Sequence, residues 1–122
     1  MFRDKVRFPH ILFLPAARHP GPSGWRPRAD IYRTPEGWFV KFELAGVCPD
    51  DVRLAVRGQT LFLEGSRRDE CPHLGSHCYH LEITYSRFER AVDLPGLSER
   101  AQMTARYRDG MLLVEIVTEG RP

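Results

Sequence analysis

From Trp25 onward apolar residues recur at every second position, and no stretch sustains the 3.6-residue period of an amphipathic helix. That alternation restricts the chain to extended segments with one buried and one exposed face. The clearest segment is 38–44, where Trp38, Val40, Phe42 and Leu44 point one way and Phe39, Lys41 and Glu43 the other. Residues 52–57 repeat it, with Val52, Leu54 and Val56 opposed to Arg53, Ala55 and Arg57. A further segment, 60–64, follows after the turn residues Gly58 and Gln59, which predicts a hairpin. Four more stripes come later: Tyr79, Leu81 and Ile83; Phe88, Val92 and Leu94; Met103, Ala105 and Tyr107; and Leu112, Val114 and Ile116. The last two meet at Asp109-Gly110, a tight-turn signal because glycine accepts positive φ without steric cost.

Short strands separated by Gly and Pro turns, with no room for crossover helices, pack as two antiparallel sheets face to face. A chain of 122 residues with 42% apolar content is sized for one such core. The expected fold is therefore all-β, an antiparallel β-sandwich of seven to eight strands. Open sandwiches have edges whose unpaired N–H and C=O groups recruit other strands, so self-assembly is expected. Residues 1–24 differ from the rest. Apolar Phe2, Val6, Phe8 and Ile11 to Leu14 precede His19-Pro20-Gly21-Pro22-Ser23-Gly24, the pattern of an arm on a flexible link. The domain is placed at 25–118 and a short tail at 119–122.

Charge narrows the partners. Eighteen basic and sixteen acidic residues alternate in sign along the strands, which leaves no dominant phosphate-binding face, and no nucleic acid is expected. No stretch approaches the roughly 20 apolar residues of a membrane span. The apolar run Ile11 to Leu14 is too short for a secretory signal, and three cysteines, an odd number, suit a reduced cytoplasm.

Five motifs, in order, are similar to the α-crystallin domain of small heat-shock proteins. Trp25-Arg26-Pro27-Arg28-Ala29-Asp30-Ile31-Tyr32 resembles the family's opening strand. Leu44-Ala45-Gly46-Val47-Cys48-Pro49-Asp50-Asp51-Val52 resembles its Leu-Pro-Gly-Val-x-Pro turn, with Ala45 in place of the usual proline. Leu61-x-Leu63-x-Gly65-x-Arg67 comes next, then Tyr85-Ser86-Arg87-Phe88-Glu89-Arg90-Ala91-Val92-Asp93-Leu94-Pro95, and Ala105-x-Tyr107-x-Asp109-Gly110-Met111-Leu112 closes the series.

The resemblance implies an immunoglobulin-like sandwich that uses no nucleotide and no cofactor, assembles as a homodimer or small homo-oligomer, and holds unfolding client proteins on exposed apolar surface. The long loop after Gly65 resembles the bacterial and plant branch, which implies that 78–83 pairs with 29–33 of a partner subunit. The implied interface residues are Ala29, Ile31, Arg33, Tyr79, Leu81, Ile83 and Arg90. Arg90 shares a strand face with Phe88, Val92 and Leu94, so its guanidinium needs a carboxylate or carbonyl near that interface. The family's groove between the sheets corresponds here to Leu54, Val56, Met103 and Ala105, residues that equally suit an ordinary core. Relatives fill it with an Ile-x-Ile/Val segment, a pattern that 118–122 lacks. The arm segment Ile11-Leu12-Phe13-Leu14 supplies a similar alternating pair and is expected either to dock there or to remain a client-binding arm. A monomeric adaptor of the related CS-domain type is the alternative function.

One local anomaly remains. Cys71, His73, His77, Cys78 and His80 fall within ten residues. These are ligand types that Zn²⁺ or Cu⁺ prefers, yet no Cys-x-x-Cys knuckle is present, and an exposed polar loop without metal is the expectation. A redox pair of Cys71 and Cys78 is the other reading. Cys48 is expected to be a small, half-buried residue. Nothing supplies an oxyanion hole, a phosphate loop or His-Glu-x-x-His, so no enzyme activity is expected.

Overall fold

The computed structural model describes residues 11–13, as backbone, together with 24–69 and 73–118. Among these residues eight strands follow one another: β1 (Ile11–Phe13), β2 (Ala29–Arg33), β3 (Gly37–Glu43), β4 (Val52–Arg57), β5 (Thr60–Ser66), β6 (Arg87–Asp93), β7 (Gln102–Arg108) and β8 (Met111–Val117). A single 3₁₀ turn, Pro49–Asp51, precedes β4. One sheet runs β1-β4-β5-β6 and the other β2-β3-β8-β7. Every pairing is antiparallel except β1 with β4, which is parallel. This is the sandwich that the alternation predicts, seven strands plus the short β1.

The inward stripes meet in one core. Val40 and Phe42 of β3, Leu54 and Val56 of β4, Leu61 and Leu63 of β5, Phe88 of β6, and Leu112 and Val114 of β8 are buried together. Fully burying a side chain of this size contributes about 1.5–3 kcal/mol, so the core is ample for one domain. Two glycines let the layers close. A Cβ on Gly65 would stand 2.1 Å from the Asp51 carbonyl oxygen and 2.7 Å from the Phe88 ring, so only glycine fits where β5 passes beneath the 3₁₀ turn. At the β7–β8 hairpin, Asp109 (φ 51°) and Gly110 (φ 80°) both take positive φ, the type I′ geometry that matches strand twist.

One expected strand is absent. The stripe Tyr79, Leu81, Ile83 lies in a stretch with no strand assignment, between β5 and β6. Alternation makes a segment fit for a sheet, but a ladder needs a neighbour, and among the described residues of one chain this stretch has none.

Candidate functional site at the sandwich edges

Among the described residues β2 ends its sheet, with β3 as its one hydrogen-bonded neighbour. The side chains along it are anchored: Tyr32 lies against Phe39 with ring centroids 5.8 Å apart, and the Arg33 guanidinium sits 4.5 Å over the Trp38 ring. Lys41 Nζ stands 4.0 Å from Asp30. Yet Ile31 is 41% and Tyr32 48% exposed, large apolar groups on an ordered strand that faces solvent. Such an edge offers a row of backbone donors and acceptors to an added strand.

The loop between β5 and β6 offers the complement. Leu74 and Tyr79 are fully exposed, Leu81 is 65% exposed and Ile83 60%. His80 and Glu82 alternate with them, and His80 Nε2 lies 2.8 Å from Glu82 Oε2, the i, i+2 contact of an extended segment. The loop's return is fixed by Arg67. Its Nε and Nη2 donate to the Thr84 carbonyl at 3.0 and 2.8 Å, its Nη1 donates to the Ala45 carbonyl at 3.1 Å, and its guanidinium stacks 3.8 Å over the Trp25 ring.

The opposite sheet handles its edge differently. β1 lies parallel along β4 in the register Ile11 with Leu54, Leu12 with Ala55 and Phe13 with Val56. Leu14 falls outside the described residues. Of the four groove residues, Leu54 and Val56 are closed core, while Met103 and Ala105 are partly buried at the β7 edge. Leu54 and Val56, opposite Ile11 and Phe13 in the ladder, are thus closed off with β1 in place.

Arg90 points inward, as its strand face predicts. Its Nη1 donates to the Pro27 carbonyl at 2.8 Å, within its own chain, and its Nε is buried without a hydrogen-bond partner. Burial holds its pKa below the usual guanidinium range, and the neighbouring Arg26 charge adds to that. In one chain it ties β6 to the residues just before β2.

The model of the Hsp20/alpha crystallin family matches residues 30–122. The chain belongs to that family. It is 30% identical over 91 residues to small heat shock protein C4 of Rickettsia felis, an alignment covering 74% of this chain and 55% of that one. It is 28% identical over 90 residues to the 22.7 kDa class IV heat shock protein of Pisum sativum, covering 73% and 46%. The chain thus spans about half the length of these curated relatives. Among solved structures, a small heat-shock protein from Xylella fastidiosa, described as having a distinct high order structure, superposes with a TM-score of 0.63 at 27% identity, covering 80% of this chain and 90% of that one. Heat shock protein 16.0 of Schizosaccharomyces pombe superposes with a TM-score of 0.69 at 20% identity, covering 81% and 92%, a likeness of fold.

Within this Hsp20 domain the Cys/His loop is not gathered. His73, His77, Cys78 and His80 are exposed, Cys71 lies outside the described residues, and among the described residues no three His, Cys, Asp or Glu side chains cluster as metal ligands. Cys48 is exposed and not half-buried, because Val47, 4% exposed, takes the inward place in that turn. No helix among the described residues is long and apolar enough to cross a membrane. Two residues carry more of the site than the sequence reading gave them. Arg67 is one. The other is Tyr107, whose hydroxyl donates to the Leu44 carbonyl at 2.6 Å and whose pKa is pushed up by burial, against smaller opposing effects of the Val47 and Gly46 amides and Arg67. The motif positions of both are visible in the chain, but the carbonyls they hold are visible only once it folds.

Proposed function

We propose that this chain is an ATP-independent holdase that binds partly unfolded proteins and keeps them from aggregating, working in the cytoplasm as a homodimer or small homo-oligomer. The observation that carries the reading is the coexistence of an open β2 edge bearing Ile31 and Tyr32 with a loop that exposes Leu74, Tyr79, Leu81 and Ile83. A folded sandwich has no use for so much exposed apolar surface unless another chain covers it. Residues 78–83 of one copy add to Ala29–Arg33 of a second, restoring the missing strand and giving the ladder its neighbour. Arg90 supports β2 from within, and the exposed thiols Cys48 and Cys78 suit a reducing compartment. Beneath β1, the β4 edge and the partly buried Met103 and Ala105 form a second apolar surface for client segments, available when the arm lifts.

The test is aggregation of a heated substrate protein, followed by light scattering without ATP. Protection at near-stoichiometric ratio, by a species heavier than a monomer, is expected. Absence of protection sinks the holdase reading; a stable monomer that protects nothing favours an adaptor of the CS-domain type.

A further inference from the structure

We infer that Arg67 is the positioning residue for the β5–β6 loop, setting the direction in which Tyr79, Leu81 and Ile83 reach a second copy; this rests on the loop exchange proposed above. Arg67 follows directly on β5, and its backbone amide donates to the Ser86 carbonyl at 2.9 Å, so both ends of the loop meet at this residue. The side chain then turns back across three segments distant in sequence. Two of its N–H groups converge on the Thr84 carbonyl, one residue beyond the exposed Ile83. A third holds the Ala45 carbonyl in the β3–β4 turn, and its planar face covers Trp25 at 3.8 Å and approaches Tyr85 at 5.8 Å. Trp25 is itself fixed, edge-on to Phe88 at 5.3 Å and bridged to it through the backbone.

The consequence is geometric. An exchanged strand gains only if it arrives in register, because a slip of one residue turns Leu81 to the wrong face. Thr84 is the last point at which the sandwich can impose that register before the chain runs out through Ile83. A guanidinium suits this place because its rigid fork fixes an angle as well as a distance and its flat face stacks on an indole, whereas an ammonium does neither. The charge is not the point: the partners are carbonyls and ring faces.

The test uses the full chain and three variants: Arg67→Lys, Leu81→Glu, and the two together. Self-association is measured by sedimentation, and sandwich integrity by hydrogen exchange at β3 and β8. Leu81→Glu weakens association if the loop is exchanged at all; no change there removes the exchange reading and this inference with it. Arg67→Lys is expected to weaken association about tenfold, to speed amide exchange at 79–85, and to leave β3 and β8 protected. The double variant is then less than additive, since a misdirected loop gains little from Leu81. Arg67→Lys that associates like the parent overturns the inference while the exchange reading stands. Loss of β3 and β8 protection in step with association overturns it too, by reducing Arg67 to a fold residue.

Discussion

The two sheets end in opposite ways. The β4 margin is lined by three residues of the same chain, β1 in parallel, whereas the β2 margin carries Ile31 and Tyr32 into solvent with nothing alongside among the described residues. An unpaired strand can be blunted by charge, covered or used, and this molecule covers one while leaving the other open. The contrast separates a margin that the chain lines for itself from one that the proposed exchange fills with a second copy. On the proposed exchange, Leu81 and Ile83 carry a strand-like pattern without a ladder because their complement is another copy's β2.

The contrast is most severely tested at Ile31. Ile31→Asp places a carboxylate in the proposed seam and is expected to weaken self-association about 100-fold while shifting sandwich stability by no more than about 0.5 kcal/mol, since the side chain is exposed in one copy. Sedimentation and urea unfolding check the two halves; equal association would leave the β2 margin without a role. Removing residues 1–15 is a smaller blow, aimed at the other margin. Amide exchange in β4 is expected to accelerate about tenfold, with β3 unaffected, because a three-residue strand gives local protection only. Unchanged exchange in β4 would mean that β1 does not cover it in solution. Tyr107→Phe, which alters neither β1 nor β2, calibrates the scale. It removes one hydrogen bond and is expected to lower stability by about 1 kcal/mol at neutral pH. Because burial raises the Tyr107 pKa above its ordinary 10.0, the stability it confers is complete below that value and is lost as pH rises through the higher, folded value. Urea unfolding at pH 8 and pH 11 should show a decline in the parent that is shallower in Tyr107→Phe.

Most of the sandwich is written in period-two alternation. Val52, Leu54 and Val56, or Leu112, Val114 and Ile116, can face only one way in an extended chain, and burial follows. The same logic marks 79–83 as strand-like, but in the single chain that stretch has no strand assignment, since a pattern states fitness for pairing and not the presence of a partner. It leaves Arg67 and Tyr107 without a task because their acceptors, at Thr84, Ala45 and Leu44, lie 17, 22 and 63 positions away. The direction of β1 was equally hidden, since alternating apolar residues pair in either sense. Groove and core share one vocabulary of aliphatic side chains, so Leu54 and Val56 could not be told from Met103 and Ala105 until the layers were closed.

The middle of the β2-β3-β8-β7 sheet joins Trp38 to Ile116 and Phe42 to Leu112. The ribosome makes β3 before β8 exists, so in the nascent chain a strand rich in Val, Phe and Trp can have β2 for one neighbour while it still lacks the other. That bare flank is the cost of placing the two central partners of a sheet far apart in sequence: until β8 arrives, β3 is open to non-native pairing.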